Sequence, residues 1–405
     1  MYIKKESIVM IDKPLLAAVI TLLTISLVMD YSLSIYYITL HPGYGEYHFF
    51  IRQSGAVFVG FISMVILSKL NPDNKLTFIG LTLFFVFALI MVVMQFMPAS
   101  LVNEIGGAKR WIYVGPVSVA PVEFFKVGFV FFLAWSFSRK LTDKSKMGYL
   151  DEINIFLPYL VVFAFAVIVI AIFQKDLGQV FVLGVTLTMM ILFIGISFRF
   201  FLTLLFVALS ALMVLVIVAP HRIERIKSWW STVQNDILAL FPNSEFAQSL
   251  QVSVTEKEPF QIANSLNAIH NGGLWGQGLG NGQFKLGYLS EVHTDFILAG
   301  ITEELGFAGL VFVTLTMLFI VFRIFKIASK VQSPVYYLFS IGIGSIIAFS
   351  FILNAYGISG MTPIKGIAVP FLSYGGSHIV ASCIAIGMIL MISKKMPRDK
   401  YGKIL

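Results

Sequence analysis

The residues whose types and spacing can do chemistry crowd into one stretch. Residues 265–309 open with a glycine-dense segment, in which Gly272, Gly273, Gly276, Gly278, Gly280 and Gly282 stand close together. A polar cluster of Glu291, His293, Thr294 and Asp295 follows, and then an apolar block with Glu303 and Glu304 near its start. A carboxylate placed there can take a proton from an attacking hydroxyl. Burial and neighbouring acids would raise its pKa and nearby Arg or Lys would lower it; the sequence leaves that balance open. The plainer role for Thr294 or Asp295 is to cap the helix that follows. The crowding of Glu291, His293, Glu303 and Glu304 at the same end argues for more than a cap. The glycines permit turns that other residues resist, so the segment is expected to fold tightly over something at the membrane edge. It is not a nucleotide-binding loop, because no Gly-Lys-Ser/Thr follows and no strand precedes it.

Three other segments carry polar groups of the same kind. Residues 106–126 hold Lys109, Arg110 and Trp111, then Glu123 and Lys126, which lie three apart and can pair on one helix face. Residues 174–179 form a polar break containing Asp176. Residues 357–377, with Lys365 between Pro363 and Pro370, read as a broken, partly re-entrant segment, tolerated at membrane depth only beside protein or a wet cavity. Lys109, Arg110 and Lys365 can hold phosphate oxygens, the arginine in bidentate fashion. Together these groups suit a substrate with a lipid tail, a phosphate and a polar head. Composition and spacing do not separate catalysis on such a substrate from its transport.

The elements that must position these residues are membrane spans. The 405 residues are 58% hydrophobic and 12% charged, with mean hydropathy +0.88, against about 25% charged in a soluble domain. The apolar residues come in blocks of about 20, enough to cross a bilayer. Ten spans are expected, near 15–38, 51–70, 76–97, 118–137, 155–173, 177–197, 200–219, 296–323, 335–357 and 377–393. The fold class is an all-α polytopic membrane protein, one domain over 1–405, with a large extracytoplasmic loop at 220–294 between the seventh and eighth helices. Most of the 29 Lys and Arg fall on the side of the termini, which the positive-inside rule makes cytoplasmic. That puts 138–154 inside and 220–294 outside. The first block lacks a cleavage site and is retained. Cys383 is the single cysteine, so no intrachain disulfide forms, and no zinc or haem spacing is present. No nucleic-acid partner is expected.

These segments together resemble the SEDS family (shape, elongation, division and sporulation), whose members include FtsW, RodA and SpoVE. The likeness covers nearly the whole chain. It rests on Gly107–Ile112, on Pro121, Glu123 and Lys126, on Asp176-Leu177-Gly178, and on Arg222 and Arg225 after the seventh span. It rests also on Glu291, His293, Thr294, Asp295 and Phe296, on Glu303–Gly306, and on Pro370–Ser377. The resemblance implies a multi-pass protein of the bacterial cytoplasmic membrane, a glycosyltransferase that polymerises lipid II into peptidoglycan glycan strands on the outer face of that membrane. Its partner would be a class B penicillin-binding protein (an FtsI-like transpeptidase), alongside other division proteins. The resemblance makes Asp295 the catalytic aspartate. It makes Lys109, Arg110, Trp111, Glu123, Lys126, Asp176, Arg222, Lys285, His293, Lys365, Ser373 and Ser377 the substrate-binding set. Gly280-Asn281-Gly282 with Lys285 is closer to the division branch, FtsW, than to RodA. Ser290 and Lys175 stand where the family usually has proline, and residues 228–260 look longer than the usual loop. A divalent cation, Mg2+ or Mn2+, is the one cofactor the phosphate chemistry leaves open. A lipid II flippase and a non-catalytic division scaffold are the two alternative readings.

Overall fold

The computed structural model describes residues 11–40, 43, 45–105, 107–115, 117–140, 148–195, 197–238 and 258–397. Among them, ten helices are long and apolar enough to cross a membrane. In chain order the helices are α1 (Lys13–Leu40), α2 (His48–Lys69), α3 (Pro72–Val93), α4 (Pro121–Lys140), α5 (Tyr149–Val167), α6 (Leu177–Ile194), α7 (Phe198–Ile217), α8 (Pro220–Leu238), α9 (Glu258–Gly272), α10 (Ile297–Lys330), α11 (Pro334–Ile358) and α12 (Gly376–Ser393). The spans are all of these except α8 and α9.

Local chemistry sets many of the boundaries. The carboxylate of Asp12 accepts from Leu15 N–H at 2.9 Å and starts α1. Asn71 caps α3, whose first residue is Pro72, and Pro is favoured there because its missing N–H has no helical partner anyway. Asp176 caps α6 and Ser197 caps α7, each through a side chain that accepts a backbone N–H. α6 ends at Gly195, held at φ +83. α5 runs into a single π-helical stretch, Ile168–Phe173.

The most enclosed spans are α4, α11 and α12. α2 lies along α12 and α3 along α4. Such contacts need small residues, since lipid offers no hydrophobic drive and close packing must supply the attraction. A Cβ on Gly128 would stand 2.2 Å from the Phe84 nitrogen. One on Gly387 would stand 3.0 Å from the Met64 Cα. α7 is the outlying span, with only Phe200 and Leu204 buried.

The two ends of the bundle differ. At the end carrying the termini, Asp12 pairs with Arg323, Asp73 with Lys395, and Ser393 Oγ accepts from Asp12 N–H at 3.1 Å. At the opposite end the longer connections meet.

Three stretches carry more structure than the sequence reading described. The 220–294 region is not simply loop: it contains α8 and α9, the former amphipathic, and residues 239–257 fall outside the described set. The 97–120 connection carries strand as well as turn. It holds two small antiparallel hairpins, β1 (Glu104–Ile105) with β2 (Ala108–Lys109) and β3 (Ile112–Val114) with β4 (Val117–Val119). The eighth span is longer than 296–323, because its basic last turns remain helical and Arg323 turns back to Asp12.

The glycine segment folds over its own chain. α10 is interrupted at Gly306, at φ +72 and ψ −176. The helical bonds lost there are remade with residues 273–278. Gln277 N–H donates to Glu303 O at 2.9 Å and Gly278 N–H to Glu304 O at 3.0 Å. In return Phe307 N–H donates to Gly273 O at 2.9 Å and Ala308 N–H to Leu274 O at 3.1 Å. The backbones come so near that a Cβ on Gly306 would stand 2.4 Å from Gly276 N.

Candidate active site

Asp295 lies in a turn, 291–296, in which Thr294 and Phe296 N–H both donate to Glu291 O. The turn delivers the chain into α10. The N-cap of that helix is Phe296, with no side-chain cap hydrogen bond, and Thr294 Oγ1 bonds instead to Glu291 Oε2 at 2.9 Å. The carboxyl of Asp295 is therefore not consumed as a cap.

It faces a narrow cleft whose lining includes Asn354, Lys365 and Gly366. Gly366 adopts φ +61, and a Cβ there would stand 3.1 Å from Asp295 Oδ2. A side chain at 366 would both strain the backbone and press on the carboxyl. Burial, reinforced by the negative charges of Glu291 and Asp176, pushes the Asp295 pKa up to about 7, against the pull of Arg110 and Arg225. A carboxyl held there is matched to proton transfer near neutral pH.

Around it, Asp176 caps α6 through Gln179 N–H at 3.1 Å, and burial raises its pKa while Arg110 opposes. Arg110 reaches across to the Gln174 and Lys175 carbonyls, at 2.7 and 3.0 Å, with its guanidinium carbon 6.0 Å from the Trp111 ring centroid. Lys175 holds φ +51, a conformation closed to the proline usual there in the family. Lys365 rests its ammonium 4.0 Å over the Phe181 ring, and burial lowers its pKa. His293 is buried among Tyr37, Phe49 and Tyr374, and burial lowers its pKa to about 4, so the imidazole is neutral. Ser373 Oγ donates to Thr294 O at 2.7 Å and accepts from Val369 N–H.

Other expected site residues are held elsewhere. Glu123 and Lys126 do pair, at 2.9 Å, inside the bundle. Gln179 bonds both of them, and His378 Nδ1 meets Glu123 Oε2 at 2.8 Å. Ser377 Oγ accepts from Ala120 N–H and ties that network's helix to the hairpins. Lys109 donates to the carbonyls of Gln95 and Met97, just past the end of α3. Arg222 donates to Leu215 O and Ala171 O, the latter inside the π-helical stretch. Lys285 is buried against Glu304 and Ser32. Asp295, Asp176, Arg110 and Lys365 thus gather at one end of the bundle, while Lys109, Arg222 and Lys285 hold backbone or buried charge.

Sequence reasoning passed over Asn354, Gly366, Phe181, Gln179 and His378. Asn354 carried a usable signal, a lone amide inside an otherwise apolar span. Among the described residues no three His, Cys, Asp or Glu side chains converge on a point that would hold a metal.

The fold and the site define a multi-pass helical membrane protein with a raised-pKa carboxyl and basic groups gathered at one end of the bundle. The chain belongs to the FtsW, RodA and SpoVE family of cell cycle proteins, whose family model matches residues 13–397. It is 44% identical over 383 residues to the probable peptidoglycan glycosyltransferase FtsW of Helicobacter pylori strain ATCC 700392 / 26695, covering 95% of this chain and 98% of that one. It is 33% identical to the protein of the same description from Bacillus subtilis strain 168, covering 94% and 90%. The fold matches the crystal structure of the Thermus thermophilus rod shape determining protein RodA with a TM-score of 0.63 at 21% identity, over 96% of this chain and 98% of that one. A chain from a peptidoglycan synthase complex that coordinates polymerization and crosslinking matches with a TM-score of 0.66 at 21% identity, over 95% and 97%.

Proposed function

We propose that this protein is a peptidoglycan glycosyltransferase that polymerises lipid II at the outer face of the cytoplasmic membrane, in the division branch of its family. The observation that carries the reading is Asp295. Its carboxyl caps nothing, has a pKa of about 7, and faces a cleft shared with Lys365. In the reaction Asp295 takes the proton from the 4-hydroxyl of the acceptor N-acetylglucosamine. That oxygen attacks the anomeric carbon of the donor N-acetylmuramic acid, and undecaprenyl diphosphate leaves from the opposite face with inversion. A well-placed base contributes about 10²–10⁴-fold. Of the three cations expected at the phosphates, Lys365 shares the Asp295 cleft and is the best placed. Arg110 and Lys109 spend donors on backbone carbonyls and act first as scaffold. A divalent cation, Mg2+ or Mn2+, would supply further positive charge for the leaving diphosphate.

The partner is a single-pass class B penicillin-binding protein, and other division proteins join the pair. The exposed apolar face of α10, with Phe312, Leu315 and Phe319, offers it a docking stripe beside α11. The termini are cytoplasmic; in a Cys383→Ser background, Trp275→Cys, at an exposed position, is labelled from outside intact cells.

The deciding experiment is polymerisation of purified lipid II in detergent, where no second compartment exists and a flippase has nothing to do. The protein forms glycan strands, and Asp295→Asn folds, keeps its partner and loses polymerisation. Near-normal polymerisation by Asp295→Asn would remove the base from the mechanism.

A further inference from the structure

We infer that Asn354 is a positioning residue for Asp295, acting through the backbone of the turn that carries it; the inference rests on Asp295 being the base. Three consecutive carbonyls of that turn are held from outside. Tyr374 N–H donates to His293 O at 2.9 Å, Ser373 Oγ to Thr294 O at 2.7 Å, and Asn354 Nδ2 to Asp295 O at 2.7 Å. The first two bonds come from the connection between α11 and α12, and the third from α11 itself. Asn354 also donates to Ile367 O at 2.8 Å. One amide thus joins the carbonyl of the base to the chain immediately after Gly366, the residue that faces the carboxyl.

The amide is used for its two donors alone. Asn354 is 5% exposed and its Oδ1 is buried without a partner among the described residues. Two donated bonds to carbonyls on opposite segments fix which way the amide points. Among uncharged side chains only asparagine and glutamine offer two N–H donors, and glutamine is one carbon longer. An aspartate has the same shape and, ionised, no donor. The bond to the Asp295 carbonyl sets the distance between the base and Gly366, and a misplacement of about 1 Å at a reacting group costs up to about 10²-fold in rate.

The clamp also keeps the carboxyl in its narrow cleft. The groups acting on that carboxyl are Glu291 on its own turn, Asp176 before α6, Arg110 on the hairpin segment and Arg225 on α8, with Lys365 lining the same cleft. Burial is the largest influence among them. Releasing the turn admits water to the carboxyl and lets it ionise at lower pH.

The test uses full-length protein and lipid II in detergent, comparing Asn354→Leu and Asn354→Ala, which remove both donors and add no charge, with the parent across pH. We expect turnover to fall by about tenfold to a hundredfold with KM for lipid II little changed, and the acid limb of the pH–rate profile to move to lower pH. A merely structural asparagine lowers the amount of folded protein without moving that limb. Loss of rate proportional to loss of folded protein, with the limb unmoved, overturns the inference, as does parent-like turnover in both variants. Asp295→Asn run beside them separates the two claims. If it stays active, the base assignment fails; if it is dead while both Asn354 variants behave as parent, only the positioning role fails.

Discussion

Lys285 Nζ stands 2.7 Å from Glu304 Oε1, with both side chains buried. The same ammonium reaches the carbonyl and hydroxyl of Ser32, at 3.1 and 3.3 Å, so one pair joins α1, the glycine-rich connection and α10. Removing one partner of a buried pair strands the other and costs about 3–5 kcal/mol. Lys285→Met is expected to lower the thermal midpoint of the detergent-solubilised protein clearly. Adding Glu304→Gln to it should recover much of the loss. A single variant with an unchanged midpoint would show that the pair contributes nothing.

The titration of Asp295 gives polymerisation a defined pH dependence. A base must be deprotonated, so the rate rises with pH through about 7. Arg225 lowers that pKa and Asp176 raises it. Arg225→Gln should therefore move the rise to higher pH, and Asp176→Asn to lower pH. Measuring the rate from pH 5 to 9 checks both signs.

Two glycine substitutions should behave differently although both positions have positive φ. Gly306→Ala drives a Cβ into the Gly276 backbone, and loss of folded, monodisperse protein is expected. Gly280 is at φ +84, and a methyl group there would meet nothing within 4 Å. Gly280→Ala should cost only about 1–2 kcal/mol of backbone strain. Size-exclusion yield and thermal midpoint distinguish the two.

The ammonium of Lys365 is stabilised over the Phe181 ring rather than paired with Asp295. A contact of this kind is worth about 0.5–2 kcal/mol. Lys365→Met is expected to reduce turnover at least about tenfold, as one lost charge-assisted bond to phosphate implies. Phe181→Leu should free the ammonium to approach Asp295 and move the acid limb of the rate profile to lower pH. Equal profiles for Phe181→Leu and the parent would discount the ring.

The spans were legible because a bilayer imposes a length and a composition that survive in any single sequence. Asp295 was legible because acids are costly at a span end. The hairpins at 104–119 were not, since strands of two or three residues leave no alternating pattern. α8 was read as loop because its amphipathic, polar helix lacks the apolar run that marks a span. The partners of Lys109 and Arg110 are backbone carbonyls, which every residue possesses and no residue type announces. The purpose of the glycines was hidden for a related reason: their partner is a break in a helix some thirty residues downstream.

That break has a consequence for how the protein is made. α10 taken alone lacks a complete set of backbone bonds around Gly306, so the hydrophobic segment cannot complete its own ladder. Residues 273–278 precede it in the chain and leave the ribosome first. The missing half of the ladder is synthesised before the span that needs it, and the early turns of that span close onto a strip that already exists.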